Sequence, residues 1–257
     1  MKRLEGKVAV ITGANSGVGE ETAKLFAKEG AKLVICARRV EALEKAKAEI
    51  EALGAEVLAL PTDISKEADV VKLFEEAVKK FGKVDILVNN AGVLDSDLNS
   101  MSRWKEADFD RVVAINQKGT MYVSREAVKY MVENKGGSIV NVASVAGQYG
   151  CGGAVYVSTK GAMIGLTKHI AMRYAGTETY IRCNAICPGT IVTPMTSNID
   201  FSTIDMGMFG QMSKHADIKG CKPCMPIDVA NTILFLASDE SKAVTGQIIV
   251  NDFGADL

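Results

Sequence analysis

Val8-Ala9-Val10-Ile11, running into Thr12-Gly13-Ala14-Asn15-Ser16-Gly17-Val18-Gly19, is the stretch whose reading decides the fold. The first four residues form the short, branched apolar run that a buried strand requires. Behind the glycines, Ala23, Leu25, Phe26 and Ala27 lie in a helix-forming stretch that ends at Gly30. Strand, glycine loop and helix in that order predict a tight turn whose backbone can approach a ligand closely. The free N–H groups at the start of the helix then face a pyrophosphate. A glycine turn is common by itself, and its position between a first strand and a first helix is what makes this one informative.

The same alternation continues outward. Apolar runs recur at 57–60, 84–88, 138–142, 181–187 and 247–250, separated by charged helical stretches at 40–53, 66–81, 107–133, 155–174 and 227–237. Gly30, Gly54 and Gly82 each follow a helical stretch, where a left-handed residue commonly stops a helix. Uninterrupted apolar strands alternating with helices predict an α/β fold, a doubly wound parallel sheet of Rossmann type with helices on both faces. The chain of 257 residues reads as one domain, 1–257, without repeat, low-complexity tract or linker. An apolar fraction of 47% supplies a substantial core, and a net charge of −1 gives no reason to expect nucleic acid as a partner. Met1 to Lys7 lacks the apolar core of a signal peptide, and no run approaches the ~20 apolar residues of a membrane span. A cytoplasmic protein with no membrane partner is the expectation.

The second strand, Lys32-Leu33-Val34-Ile35-Cys36, bears on the cofactor. A fold of this kind that takes NAD usually ends this strand with a carboxylate for the ribose 2′-hydroxyl. Here Cys36-Ala37-Arg38-Arg39 supplies two guanidinium groups instead, which suit the 2′-phosphate of NADP(H).

Tyr156 and Lys160 stand four apart in Tyr156-Val157-Ser158-Thr159-Lys160, and so on one helix face. An ammonium beside a phenol favours the phenolate and lowers a pKa that is ordinarily ~10. The pair is a candidate general acid/base for a hydroxyl or carbonyl group. The carboxyl ends of the strands gather other unusual residues: Asp63, Asn89-Asn90-Ala91-Gly92, Ser144 and Cys187-Pro188-Gly189. In a doubly wound sheet these converge on one edge, where ligands bind.

Together these residues resemble the short-chain dehydrogenase/reductase family. The resemblance runs from Thr12–Gly19 through Asp63, Asn89-Asn90-Ala91-Gly92, Asn116, Ser144, Tyr156 with Lys160, and Pro188-Gly189 with Thr193, to Val244-Thr245-Gly246-Gln247. It implies an enzyme that moves hydride between NADP(H) and a secondary alcohol or ketone. Tyr156 would exchange the proton and Lys160 would hold the nicotinamide ribose. Ser144 would bind the substrate oxygen, and Asn116 would hold a water linking Lys160 to solvent. Gly13, Asn15, Ser16, Gly17, Val18 and Gly19 would cradle the pyrophosphate, with Arg38 and Arg39 at the 2′-phosphate. Asp63 and Ile64 would meet adenine, and Asn90, Ala91 and Gly92 the adenosine ribose. Pro188, Gly189, Ile191 and Thr193 would orient the nicotinamide. It also implies a dimer or tetramer built through the helices at 107–133 and 155–174.

One departure concerns the family's serine, which usually stands one position farther from the tyrosine. Here twelve positions separate Ser144 from Tyr156. A glycine-rich loop at 147–153, one residue shorter, is the expected compensation, and Gln148, Tyr149 and Cys151 in it are expected to touch substrate. The segment 195–226 is expected to form a substrate lid. It carries Met195, Met206, Met208, Met212 and Met225 with Ile199, Phe201, Ile204 and Phe209. Methionine adapts to irregular apolar surfaces, so a roomy apolar pocket for a bulky alcohol or ketone follows. The opening residues and Ile181-Arg182-Cys183-Asn184-Ala185 further resemble bacterial hydroxysteroid dehydrogenases, including those acting on bile acids. The alternatives are a 3-oxoacyl carrier-protein reductase and an NADP(H)-binding sensor without turnover. Cys221-Lys222-Pro223-Cys224, with His215 and Asp217 nearby, is a single pair where zinc sites usually bring four ligands, so no metal is expected. His169 reads as packing.

Overall fold

The computed structural model describes residues 2–200, 202–216 and 222–255. These form one domain around a seven-stranded parallel sheet in the order β3-β2-β1-β4-β5-β6-β7. The strands are β1 (Val8–Thr12), β2 (Lys32–Ala37), β3 (Val57–Pro61), β4 (Ile86–Asn89), β5 (Gly136–Val142), β6 (Tyr180–Pro188) and β7 (Ile248–Asn251). Side chains alternate between the two faces. Ala9 and Ile11 of β1 join Leu33 and Ile35 of β2 in the core under α1 (Gly17–Lys28), α2 (Val40–Glu51) and α10 (Pro226–Ala237). Val8 and Val10 join Val34 in the opposite core, under α3 (Glu67–Phe81), α5 (Thr120–Glu133) and α7 (Ala154–Tyr174). Both faces being covered explains why the strands read as continuous apolar runs. Among the described residues, no helix is long and apolar enough to cross a membrane.

Two expectations need correction. The stretch 107–133 is not one helix. Helix α4 (Glu106–Val112) passes through a π-helical segment, Val113–Gly119, into α5. Asn116 lies inside that segment and bonds to other parts of the chain, which draws the backbone out of regular geometry. Nor is 147–153 simply a loop. Ser144 caps a short helix, α6 (Val145–Tyr149), by accepting from the Ala146 N–H, and Gly150 ends it at φ +79°. Two further short elements, α8 (Pro194–Ser197) and α9 (Met206–Ala216), lie in the segment read as a lid.

The strand order reverses between β1 and β4, so the crevice opens there, above the carboxyl ends. Thr12 and Asn90 tie the two ends together. The Thr12 hydroxyl accepts from the backbone N–H of Asn90 and Ala91, both at 3.0 Å. The Asn90 amide donates to the carbonyls of Thr12 and Gly13 at 2.9 and 3.1 Å.

Candidate active site

One cavity of about 1070 Å³ runs along the carboxyl edge of the sheet. At one end it is walled by Gly13, Asn15, Ser16, Gly17 and Val18, with Arg38, Arg39, Asp63, Ile64 and Asn90-Ala91-Gly92 beside them. Ser144, Tyr156 and Lys160 stand in its middle with Pro188, Gly189, Ile191 and Thr193. Leu94, Leu98, Ile115, Val145, Cys151 and Met195 continue the wall toward the lid segment.

The glycine loop fits an extended phosphate ligand. Ser16 starts α1 without capping it through its side chain, leaving N–H groups of the first turn for a ligand in the cavity. Gly13 sits at φ +66°, and a Cβ there would stand 2.9 Å from the Ala91 Cα. Gly17, at φ +58°, faces Thr193. Gly19 is not part of the wall: a Cβ there would collide with the Asn90 amide, so its glycine is needed for packing beneath the loop. Arg39 reaches back to the loop, its guanidinium 3.1 Å from the Asn15 amide oxygen and 3.5 Å from the Ser16 hydroxyl. Asp63 accepts from the Ser65 hydroxyl and N–H. Burial works to raise its pKa, but those two bonds and the charge of Arg38 hold it below the usual carboxylate value. The residues therefore suit a dinucleotide: a phosphate cradle, guanidinium groups and a slot at Asp63–Ile64.

Tyr156 lies in the first turn of α7, and Lys160 one turn on. The Lys160 Nζ is buried, donates to the Val142 carbonyl at 2.7 Å, and lies 5.6 Å from the centre of the Tyr156 ring. Burial pushes the Tyr156 phenol up to about 12, with a Ser144 side-chain interaction pulling against it. Burial also pulls the Lys160 ammonium down to about 8. The expectation that lysine lowers the phenol's pKa is thus corrected. Removal from water is the larger cause for both groups, because it penalises the charged form of each.

The Asn116 side chain is held by protein partners. Its Oδ1 accepts from the Val93 N–H at 2.8 Å, and its Nδ2 donates to the Val93 carbonyl at 2.8 Å and to Thr159 Oγ1 at 3.2 Å. It braces the loop after β4 against α7. Gln148 and Tyr149 do not reach the cavity. They stand exposed on the outer side of α6, where Gln148 donates to the Tyr149 hydroxyl. Sequence reasoning missed Asp95, Leu98, Arg111 and Ile115, all on the wall. Cys221 and Phe201 lie outside the described residues, as do the side chain of His215 and the whole of Asp217. Among the described residues, no group of three or more His, Cys, Asp or Glu could hold a metal ion.

Residues 7–202 match the family model described as short chain dehydrogenase. The chain belongs to the short-chain dehydrogenase family. It is 41% identical to a 3-oxoacyl-[acyl-carrier-protein] reductase of Thermotoga maritima, over 98% of each chain. It is 35% identical to 3beta-hydroxysteroid dehydrogenase 2 of Eggerthella lenta, over 98% of this chain and 95% of that one. A crystal structure of 3-ketoacyl-(acyl-carrier-protein) reductase from Brucella melitensis, complexed with NADH, superimposes with a TM-score of 0.86 at 36% identity, covering 99% of this chain and 100% of that one. This short-chain dehydrogenase is accordingly an oxidoreductase acting on CH–OH groups with a nicotinamide cofactor.

Proposed function

We propose that the protein interconverts a bulky, apolar secondary alcohol and its ketone with NADP(H), a hydroxysteroid or bile acid being the fitting class. The observation that carries this reading is one continuous cavity. Its phosphate cradle leads past Ser144, Tyr156 and Lys160 into a wall of Leu94, Leu98, Ile115, Val145 and Met195. The nicotinamide, when bound, supplies or accepts the hydride. Tyr156 gives or takes the proton at the substrate oxygen, Ser144 donates a hydrogen bond to that oxygen, and Lys160 holds the ribose and relays charge to the phenol. Of the segment 195–226, the described Ile199, Ile204, Phe209 and Met212 line the cavity, which suits a cover over the substrate. We take the enzyme to work in the cytoplasm as a dimer or tetramer, since α5 and α7 present the exposed Met121, Val132 and Met172.

NADP(H) is preferred on the strength of Arg38 and Arg39, with no carboxylate at the end of β2. A charge-assisted bond to a phosphate is strong, so Arg38→Ala should raise the KM for NADPH roughly 10- to 100-fold while changing that for NADH little. Equal use of NADPH and NADH by the native enzyme would refute the assignment.

A second reading, reduction of a 3-oxoacyl group on a carrier protein, is favoured by the 41% identical relative. It needs a basic docking surface for an acidic carrier. NADPH oxidation with trans-decalone, a 3-ketosteroid and an acetoacetyl thioester separates the two. Turnover of the first two well above the thioester supports the apolar ketone, and the reverse order supports the carrier-protein reaction. Tight NADPH binding with no turnover on any of the three would indicate a sensor.

A further inference from the structure

Helix α7, which carries Tyr156 and Lys160, begins at Gly153, a residue with no side chain to cap it. The first N–H groups of a helix have no partner within it, and a buried one left bare is costly. Here the loop after β4 takes them. The Ala154 N–H donates to the Asn99 carbonyl at 2.8 Å. The N–H groups of Val155 and Tyr156 both donate to one carboxylate oxygen, Asp95 Oδ2, at 3.2 and 3.3 Å. Asp95 is 5% exposed and stands on the cavity wall. It sits so close over Gly153 that a Cβ there would collide with both of its oxygens, so the missing side chain at 153 is what admits the carboxylate. Its other oxygen, Oδ1, is buried without a hydrogen-bond partner.

We propose that Asp95 is a positioning residue for the reaction: its carboxylate anchors the backbone of Tyr156 itself and sets the phenol against Ser144 and Lys160. The anion lies where the positive end of the helix favours it, and it places a fixed negative charge near the phenol. Burial raises the Asp95 pKa against the two backbone bonds, and the nearby Asp108, itself paired with Arg111 at 2.5 Å, adds to the rise. The other groups facing the phenol are Ser144, Cys151, Cys187 and Lys160. Asp95 belongs with Cys151 and Cys187 among those that raise it.

The proposal rests on the role given to Tyr156 above, and its test separates the two. With NADPH and trans-decalone, or the best ketone of the panel, Asp95→Ala should lower kcat roughly 10- to 100-fold through a displaced phenol, with the KM for NADPH unchanged. Asp95→Asn keeps an acceptor for the two N–H groups, so it should recover most of that turnover. It removes the charge, so the pH at which ketone reduction declines should move downward. A helix cap that matters only to stability would lower the melting temperature in both variants and leave that pH where it is. If Asp95→Ala does not fold, Asp95→Asn alone decides: a pH profile identical to the native one overturns the proposal. Native kcat and native profile in both variants overturn it as well. Should Tyr156→Phe remain active, the proton role of Tyr156 fails first, and that result is read independently of position 95.

Discussion

Tyr156→Phe is expected to lower turnover in both directions by roughly 10²- to 10⁴-fold, the range a positioned proton donor contributes. The ring stays and its packing with it, so the KM for the nicotinamide cofactor should hardly move. What is lost is the hydroxyl that stands beside Ser144 in the cavity. The pH dependence follows from the same burial. The phenol is pushed up to about 12 and the ammonium of Lys160 pulled down to about 8. The ammonium, 5.6 Å from the ring centre, therefore loses its proton near the lower value while the phenol keeps its own. The charged ammonium favours the phenolate that ketone reduction leaves behind, and the neutral amine does not. Reduction, measured as log(kcat/KM), should therefore be level below about 8 and fall above it. Lys160→Met should abolish that inflection. A Tyr156→Phe enzyme that keeps more than about a tenth of native turnover would remove the phenol from the chemistry.

Much of the fold is legible in the sequence because both faces of the sheet are covered. Strands buried on both sides are mostly apolar, so Val8–Thr12, Lys32–Ala37 and, but for Arg182 and Asn184, Tyr180–Pro188 stand out from the charged helices between them. The glycine loop is equally plain, since Gly13 and Gly17 hold backbone angles and close contacts that other residues avoid. What escaped depends on contacts far apart in the chain. The residues 113–119 have an ordinary helical pattern, and the bonds from Asn116 to Val93 and Thr159 come from distant parts of the chain. Four glycines between 147 and 153 suggest a loop, yet the Ser144 cap and packing on α7 give a helix over Val145–Tyr149. That helix turns Gln148 and Tyr149 outward. The sequence displays a lysine one turn after a tyrosine but not how far each is removed from water, which sets the direction of the phenol's shift. Asp95 had no local signal, because its partners are N–H groups sixty and sixty-one residues away.

Gly147→Ala should damage both stability and the geometry of the site. Helix α6 crosses α7 at this residue, and a Cβ would stand 2.5 Å from the Lys160 carbonyl carbon, 2.7 Å from the Gly161 nitrogen and 2.8 Å from the Lys160 Cβ. Two of the three atoms are backbone and the third is fixed to it, so no side chain can swing aside. The helices must separate instead. Overpacking of this kind costs roughly 1–3 kcal/mol, which in a domain of this size lowers Tm by roughly 2–12 °C. The larger consequence is functional. Ser144 precedes α6 while Tyr156 and Lys160 ride on α7, so separating the helices pulls the serine away from the other two and strains the Lys160 bond to the Val142 carbonyl. A displacement near 1 Å can cost about 10²-fold in rate. Gly161→Ala provides the contrast from the other side of the same crossing. Its Cβ would meet only the Gly147 carbonyl oxygen, at 3.6 Å, an ordinary contact. Alanine there restricts the unfolded chain and should stabilise by about 0.4–1 kcal/mol with turnover near native. Equal behaviour of the two variants, in Tm and in kcat, would mean that the α6–α7 crossing does not set the geometry of the site.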